Sequence, residues 1–399
     1  MLALLLQVAI LVVTPNGPVS SIAEALRTAP EGSRIVVRAG VYAESALRVD
    51  RPLELVGEGG PVVDAGGRAS AFLVSAPGVV IRGFTIRNTG RSAVDDRAGI
   101  RLEQADDCVI ADNRLEDTFF GVYLARTAGC LVERNVIAGT AVSEALSGNA
   151  IHLWNSREIT IRGNRLSGHR DGIYLEFARS AQIEGNISED HLRYGLHFMF
   201  SDSSDYHGNT FRRNGAGVAV MYSRAIQMIA NRFMENRGQA AFGLLAKEIR
   251  DSRIEENLIA DNTVGLFLEG SDRVTIADNR LERNGWAVRL MANSTENVFT
   301  GNRFVGNSFD VSTNGRQHSS TFDGNYWDQY RGYDLDGDGR GDVPHRPVRL
   351  FAYLVARQDA LLVLQRSLFV DLLDAAERVL PVLSPETLVD RRPRMGARP

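Results

Sequence analysis

The sequence predicts an all-β solenoid, a parallel β-helix followed by an amphipathic helical tail. Three observations in its 399 residues carry that prediction. First, asparagine recurs in short apolar-polar settings such as DNRLE, GNRLSG, ANRFMEN and GNRFVGN. The landmarks are Asn113, Asn135, Asn164, Asn186, Asn209, Asn231, Asn257, Asn279, Asn302 and Asn325, separated by 22, 29, 22, 23, 22, 26, 22, 23 and 23 residues. A sustained period of this size marks coils stacked one on the next. Second, an apolar residue usually lies two places after the asparagine (Leu115, Ile137, Phe211, Leu281) and another three places before it (Ile110, Val132, Ile161, Ile254). Ser188 breaks the first pattern. Third, Gly or Ala then opens alternating runs: GVYL, AIHL, GIYL, GLHF, GVAV, GLFL. Period-two runs parted by Gly and Asn turns are strands. Helical periodicity is missing from residue 30 to about 345. The long intervals 135–164 and 231–257 read as loops bulging from a coil.

The elements follow in chain order. Residues 1–13, MLALLLQVAILVV, are apolar except for Gln7. The run is shorter than the roughly 20 residues of a bilayer span. It suits the apolar part of a signal segment, with a buried first strand as the alternative. The β-helix is expected over 14–347, and a helical tail with a disordered end over 348–399. Net charge of −4 argues against a nucleic-acid partner, which wants a basic surface. The asparagines sit at turns and are structural: their amides bond along the stack. Cys108 and Cys130 each lie five residues before a landmark asparagine, so they fall side by side on neighbouring coils. They are small inward residues or a disulfide pair.

Aligning the alternating runs on their Gly or Ala sorts inward from outward positions. Ile151, Leu153, Ile173, Leu175, Leu196 and Phe198 point in. His152, Trp154, Tyr174, Glu176, His197, Met199 and, one coil on, Met221 point out. The outward set makes a solvent-side band rich in His, Met, Trp and Tyr, although the chain holds only seven histidines and seven methionines. Thioether and imidazole together favour Cu(I) over hard cations. His197, Met199, Met221 and His152 are therefore candidate Cu(I) donors, and Trp154 and Tyr174 candidate docking residues. The band is also compatible with a plain protein-docking face, or with a second small core under a covering loop.

Catalysis finds little support. Glycoside hydrolysis needs two carboxyls about 5–9.5 Å apart. The outward strand acids Glu176 and Glu269 are four coils apart, roughly 19 Å at strand spacing. No nucleophile motif, phosphate loop or zinc spacing is present. Near the end, DLDGDGRGD spaces Asp334, Asp336, Asp338 and Asp342 like the first half of a calcium loop. Position 12 would be His345 where such a loop has glutamate, so an acidic turn without metal fits equally. Beyond Pro347, helical periodicity returns with Leu361, Leu364, Leu368, Phe369 and Leu372 among its apolar positions. That face either caps the last coil or docks on a membrane protein or bilayer surface.

Several segments resemble the NosD family over about residues 14–393: YGLHFMFS, GVAVMYS, NRGQAAFGLLAKEI, GNYWDQYRGYDLDGDGRGDVPHRPV and SLFVDLLDAAERVLP. The earlier SIAEALRTAPEGSRIVVRAGVYAE is shared with many pectin-lyase-like solenoids. The resemblance implies a right-handed β-helix of CASH-type repeats with no catalysis of its own. It implies a periplasmic accessory protein, membrane-associated through an ABC-type complex of permease and ATPase. That protein works with a copper chaperone and nitrous oxide reductase, supplying copper for the reductase's clusters during denitrification. The family segments contain His197, Met199 and Met221. That these residues hold copper rests on the outward columns, not on the resemblance. The competing class, a carbohydrate-binding or polysaccharide-degrading β-helix, rests on fold analogy alone.

Overall fold

The computed structural model describes residues 9–92, 94–238, 241–315, 319–365, 367–380 and 388–396. The chain forms two compact units, residues 1–205 and 206–399. Each is a right-handed parallel β-solenoid whose coils feed three sheets, as the asparagine period predicts. One coil of the first unit runs through Ala98–Glu103, Val109–Ala111 and Arg114–Glu116, and the next opens with Phe120–Ala125. Equivalent strands pair in parallel register, with Ile110 beside Val132, Leu115 beside Ile137 and Val122 beside Ile151. In the second unit a coil runs through Ala216–Met221, Gln227–Ile229 and Arg232–Met234 before Phe242–Lys247.

The repeat is short because each strand ends at a left-handed corner. Asp112, Arg134, Gly163 and Gly185 have φ of 56°, 52°, 62° and 59°, and each immediately precedes a landmark asparagine. The asparagine itself is turned inside, 0–2% exposed at Asn113, Asn135, Asn164 and Asn186. Its amide does the work of the next coil's backbone. The Oδ1 of Asn135 accepts from the backbone N–H of Asn113 at 3.0 Å and from its Nδ2 at 3.1 Å. Asn113 Nδ2 also donates to the Ile81 carbonyl at 3.0 Å. The pattern repeats through Asn164 and Asn186. In the second unit it runs from Asn209 to Asn325. A backbone N–H at a corner would otherwise be buried without a partner, which costs about 1–3 kcal/mol. A second ladder joins Asn214, Asn236, Asn262, Asn284 and Asn307 at another corner. Between the ladders the interior is filled by Ile, Leu, Val and Phe at 0% exposure, with Phe304 stacked on Trp327 at 4.1 Å and Phe299 on Phe322 at 4.3 Å. Ser188, the break in the apolar pattern, is buried and donates its hydroxyl to the Gly195 carbonyl at 2.7 Å.

Three sequence expectations change at the ends. Ile10–Val13 is a strand paired with Arg34–Val37, so the solenoid includes residues assigned to a signal segment; residues 1–8 lie outside the described set. The helix Ile22–Thr28 covers this end, with Ser21 as its cap and the Glu44 carboxylate accepting from the N–H groups of Ile22 and Ala23 at 2.8 Å each. At the other end the last strand is Tyr326–Trp327, and the residues after it up to 347 form loops without further strands. Residues 388–396, expected to be largely disordered, are ordered and continue the stack. Asp390, 0% exposed, takes the place of the next asparagine. Its carboxylate accepts from Gly324 N, Asn325 N, Asn325 Nδ2 and Trp327 Nε1 at 3.0–3.1 Å. His345 pairs with Asp390 through the backbone and sits over Trp327, which makes it part of this cap and not a calcium ligand.

Asp390→Ala leaves several buried donors without an acceptor. We expect a loss of about 3 kcal/mol, read as a lower urea midpoint. Asp390→Asn keeps an acceptor of the ladder type and should lose about 1 kcal/mol or less. Equal effects of the two changes would show that the ladder does not extend to residue 390.

Candidate functional site

Register in the first unit aligns two outward columns. Arg101, Tyr123, His152, Tyr174 and His197 form one; Glu103, Ala125, Trp154, Glu176 and Met199 form the next. The alignment matches expectation, but the exposure does not. His197 is 3% exposed, His152 7% and Tyr123 6%, so the first column is a covered layer and not a solvent-side band. Tyr174, Trp154 and Met199 are half-buried. Part of the cover is the long interval after Asn135. From it, Glu144 reaches Arg193 at 3.8 Å, Asn149 bonds His152 Nδ1 at 3.1 Å, and the backbone at Gly148 lies against Phe120. An exposed helix or strand pattern cannot reveal this, because the cover comes from loops with no period of their own.

The column is an aromatic ladder. Ring centroids are 4.7 Å apart for Tyr123–His152, 4.8 Å for His152–Tyr174 and 4.7 Å for Tyr174–His197. Phe120 meets His152 edge-on and Tyr194 flanks His197 at 4.8 Å. With Tyr174 between them, His152 and His197 do not converge on one ion, which would need both nitrogens at about 2.0–2.1 Å from it. Trp154 packs against the Phe120–Tyr123 cluster and carries the Arg126 guanidinium over one face of its ring at 5.4 Å, and Tyr174 lies between the His152 and His197 rings.

His197 has the most informative surroundings, and they include residues that pattern reading missed. Asp171, 0% exposed, receives Arg193 Nε at 3.2 Å and Nη2 at 3.1 Å, and lies 3.9 Å from His197 Nδ1. Arg193 Nη2 is 3.3 Å from the same Nδ1 and its guanidinium lies over Tyr194. His197 Nε2 and His152 Nε2 are buried and have no hydrogen-bond partner among the described residues. Burial holds the His197 imidazole below its usual range, against the opposing pull of Asp171. Burial also pushes His152 down to about 3. Burial alone would raise Asp171, but His197, Arg193 and Arg170 outweigh it and keep the carboxyl below the usual range. His197 is thus a neutral imidazole beside a carboxylate. Arg193 has only donors, so at 3.3 Å it makes Nδ1 the acceptor and leaves the ring proton on Nε2; a metal at Nε2 requires that proton to move to Nδ1, on the side of the Asp171 carboxylate 3.9 Å away. The sequence signal was present but faint. DGIYLE and RYGLHF are one coil apart, and this places Asp171 level with Tyr194, whose N–H it accepts at 3.2 Å.

His169 and His191 turn out to be structural. His191 Nδ1 accepts from the His169 backbone N–H at 3.1 Å, the role that asparagine plays at the same corner in the second unit. Both are buried; burial lowers His169 to about 4 and His191 to about 3.

Met221 lies in the second unit, half-buried on Ala216–Met221 and in register with Lys247, which is paired with Glu269 at 3.5 Å. Cys108 and Cys130 are adjacent and inward as expected; both are buried free thiols, with the Cys108 N–H 3.4 Å from Cys130 Sγ. Asp334, Asp336 and Asp338 place carboxylate oxygens within 4.8 Å of one another, whereas Asp342 accepts from the Leu335 N–H at 2.7 Å. The Asp334 oxygens already accept from Gly337 and Gly339. In the tail, helices Leu350–Val355 and Leu368–Val379 pack Phe351, Ala352, Val355, Val370 and Leu373 against Trp286 and Phe309, with Leu361 in the same cluster. The opposite face is bare: Leu368 is 86% exposed, Phe369 50% and Leu372 69%, with Leu364 at 36%. No helix among the described residues is long and apolar enough to cross a membrane.

Comparison with known proteins adds four findings. Residues 138–332 match the family described as periplasmic copper-binding protein (NosD). The chain is 33% identical over 376 residues to the probable ABC transporter binding protein NosD of Pseudomonas aeruginosa, covering 90% of this chain and 87% of that one. It is 30% identical over 387 residues to the protein of the same name from Stutzerimonas stutzeri, covering 92% and 88%. Among solved structures it is similar to a family 28 exopolygalacturonase of Yersinia enterocolitica, with a TM-score of 0.60, 11% identity and coverage of 79% and 78%. At that identity the likeness concerns the fold alone.

The buried histidines give a pH signature. His152, His169 and His191 are depressed in the folded chain to about 3, 4 and 3, against about 6.5 when unfolded. Below pH 6.5 the unfolded chain takes up protons that the folded chain refuses. The stabilisation is therefore complete above about 6.5 and declines as pH falls towards 4. Asp310, pushed up to about 7 by burial and by Asp328, shifts the opposite way in the same window. Urea midpoints at pH 7.5 and 5.0 should consequently converge in a His152→Gln, His169→Gln, His191→Gln variant relative to wild type. An unchanged pH slope would show that these imidazoles titrate normally.

Proposed function

The chain belongs to the NosD family, and from that premise we propose that it handles Cu(I) as cargo and docks to an ABC-type membrane complex. In that role it serves copper-centre assembly of nitrous oxide reductase alongside a copper chaperone. It acts in the periplasm and at the membrane through its partner complex. The family's description as periplasmic copper-binding and the relatives' designation as ABC transporter binding proteins support the coarse role.

The observation that carries the copper part is His197. It is a buried imidazole with Asp171 and Arg193 at one nitrogen and, among the described residues, no partner at the other. It shares its strand face with the half-buried thioether of Met199, two residues on. Imidazole with thioether is a soft donor pair that suits Cu(I) and rejects hard cations. Two protein donors leave room for a donor from the delivering or accepting partner, as transfer requires. His152 stays outside this set because Tyr174 separates it. Calcium is a separate matter: the carboxylate oxygens of Asp334, Asp336 and Asp338 lie within 4.8 Å of one another, and the two backbone N–H groups on Asp334 leave it lone pairs to take a cation. The docking part is supported by Leu368, Phe369 and Leu372, an apolar helix stripe whose opposite face already packs on the solenoid.

We read the chain as non-enzymatic. The carbohydrate-active alternative has the fold for support. Against it, Glu269 is tied to Lys247, and Glu176 stands between Trp154 and Met199 with no acid on either side of it in its column.

Anaerobic Cu(I) titration against a competing chelator tests the copper part. Wild type should hold about one equivalent, and His197→Ala and Met199→Leu should each weaken binding at least about tenfold, the equivalent of ~1.4 kcal/mol. Met221→Leu, in the other unit, is assayed separately. Unchanged affinity in both first variants would remove copper from this strand.

A further inference from the structure

A groove of about 610 Å³ opens on the first unit at the corner that follows the outward columns, away from His197. Trp154, Arg157, Phe177, Arg179, Phe200 and Asp202 line it. Three features mark it.

Its aromatic residues occupy a costly conformation. Phe177 and Phe200 have φ of 53° and 51°, the left-handed region that favours glycine and asparagine. The same corner one coil earlier carries Asn155 at φ 48°. Bulky aromatic side chains there work against stability, and they are nevertheless about half exposed, at 49% and 48%. Next, the groove holds two uncompensated cations. Arg157 and Arg179 are neighbours in one ladder, both exposed, and among the described residues neither guanidinium is in an ion pair. Most arginines nearby are matched: Arg134 by Asp112, Arg162 by Glu133, Arg193 by Asp171. Asp202 continues the ladder at one end. Lastly, one face of each ring is covered. Phe177 and Phe200 stack on each other at 5.4 Å with planes 8° apart, and Arg126 covers Trp154.

From these features we infer that the groove binds an acidic, extended peptide segment of a partner protein. Guanidinium groups take carboxylates in bidentate fashion. The exposed ring edges, which carry the positive side of the aromatic quadrupole, accept apolar and anionic groups. The relatives' designation as ABC transporter binding proteins favours a protein segment over a polysaccharide as the occupant. The inference deepens the docking half of the reading above and is independent of copper.

The test is fluorescence anisotropy with a labelled peptide of about a dozen residues alternating glutamate with leucine and phenylalanine, beside its glutamine counterpart and polygalacturonate. The glutamate peptide should bind wild type at least about tenfold more tightly than the glutamine peptide and weaken as salt rises. Arg157→Glu with Arg179→Glu should abolish the preference. Phe177→Asn with Phe200→Asn should weaken binding while raising the thermal midpoint, because asparagine tolerates the left-handed corner. That combination separates a binding role from a structural one. Absence of a preference for glutamate, or a preference that survives the arginine changes, overturns the proposal. Selective binding of polygalacturonate overturns it too and reassigns the groove. Cu(I) affinity measured on the same variants should match wild type, so failure here stays distinct from failure at His197.

Discussion

The buried asparagine ladder is the constraint on which each unit depends. A solenoid with coils of some 22 residues must turn its backbone several times per coil, and every corner buries N–H groups that no strand can satisfy. The Oδ1 of one asparagine serves the N–H of its neighbour, and its Nδ2 serves a carbonyl a coil earlier. Because the acceptor must stand at the same corner of the next coil, the ladder sets the register. Register then fixes which residues face out together, and so places His197 beside Tyr174 and Met199 beside Glu176. Asp390 shows the same demand at the stack's end, where a carboxylate from a distant part of the chain completes the series.

Departures from the ladder's ordinary chemistry coincide with the regions of interest. In the second unit one corner is an unbroken asparagine series, whereas in the first unit His169 and His191 hold the equivalent place. Their bulk lies next to Gly139 and Gly172, where a Cβ would meet an imidazole at under 3 Å, so glycine is required at both positions. Beside them lie Asp171, Arg193 and His197. The corner with Phe177 and Phe200 departs in another way, spending conformational stability on exposed aromatic groups. Sites where local preference is violated without a packing gain are those where function is the expected reason.

Burial also changes what the histidines are. An exposed imidazole titrates near neutrality and takes whatever ion is abundant. Under the cover of Arg193, Tyr194 and the interval after Asn135, His197 stays neutral and water is kept from its ring. A soft ion with little need for water suits such a place better than a hydrated divalent cation. The tail is the complementary case. Its helix buries Val370 and Leu373 on the solenoid and leaves Leu368 and Leu372 bare, because a helix with apolar residues on two stripes can satisfy only one against its own unit.

The sequence by itself determined the solenoid, its period, the inward and outward columns, the adjacency of Cys108 and Cys130 and the helical character of the tail. All of these follow from residue spacing, which a repeat makes local and therefore legible. Only the tertiary structure decided that His152 and His197 are covered, that Tyr174 keeps them apart, that Asp171 and Arg193 attend His197, and that Ile10–Val13 and Asp390 belong to the stack. These depend on loops and on residues distant in the chain. A loop carries no period, and the contact of Asp390 with Asn325 spans 65 residues, so no window of sequence contains both partners.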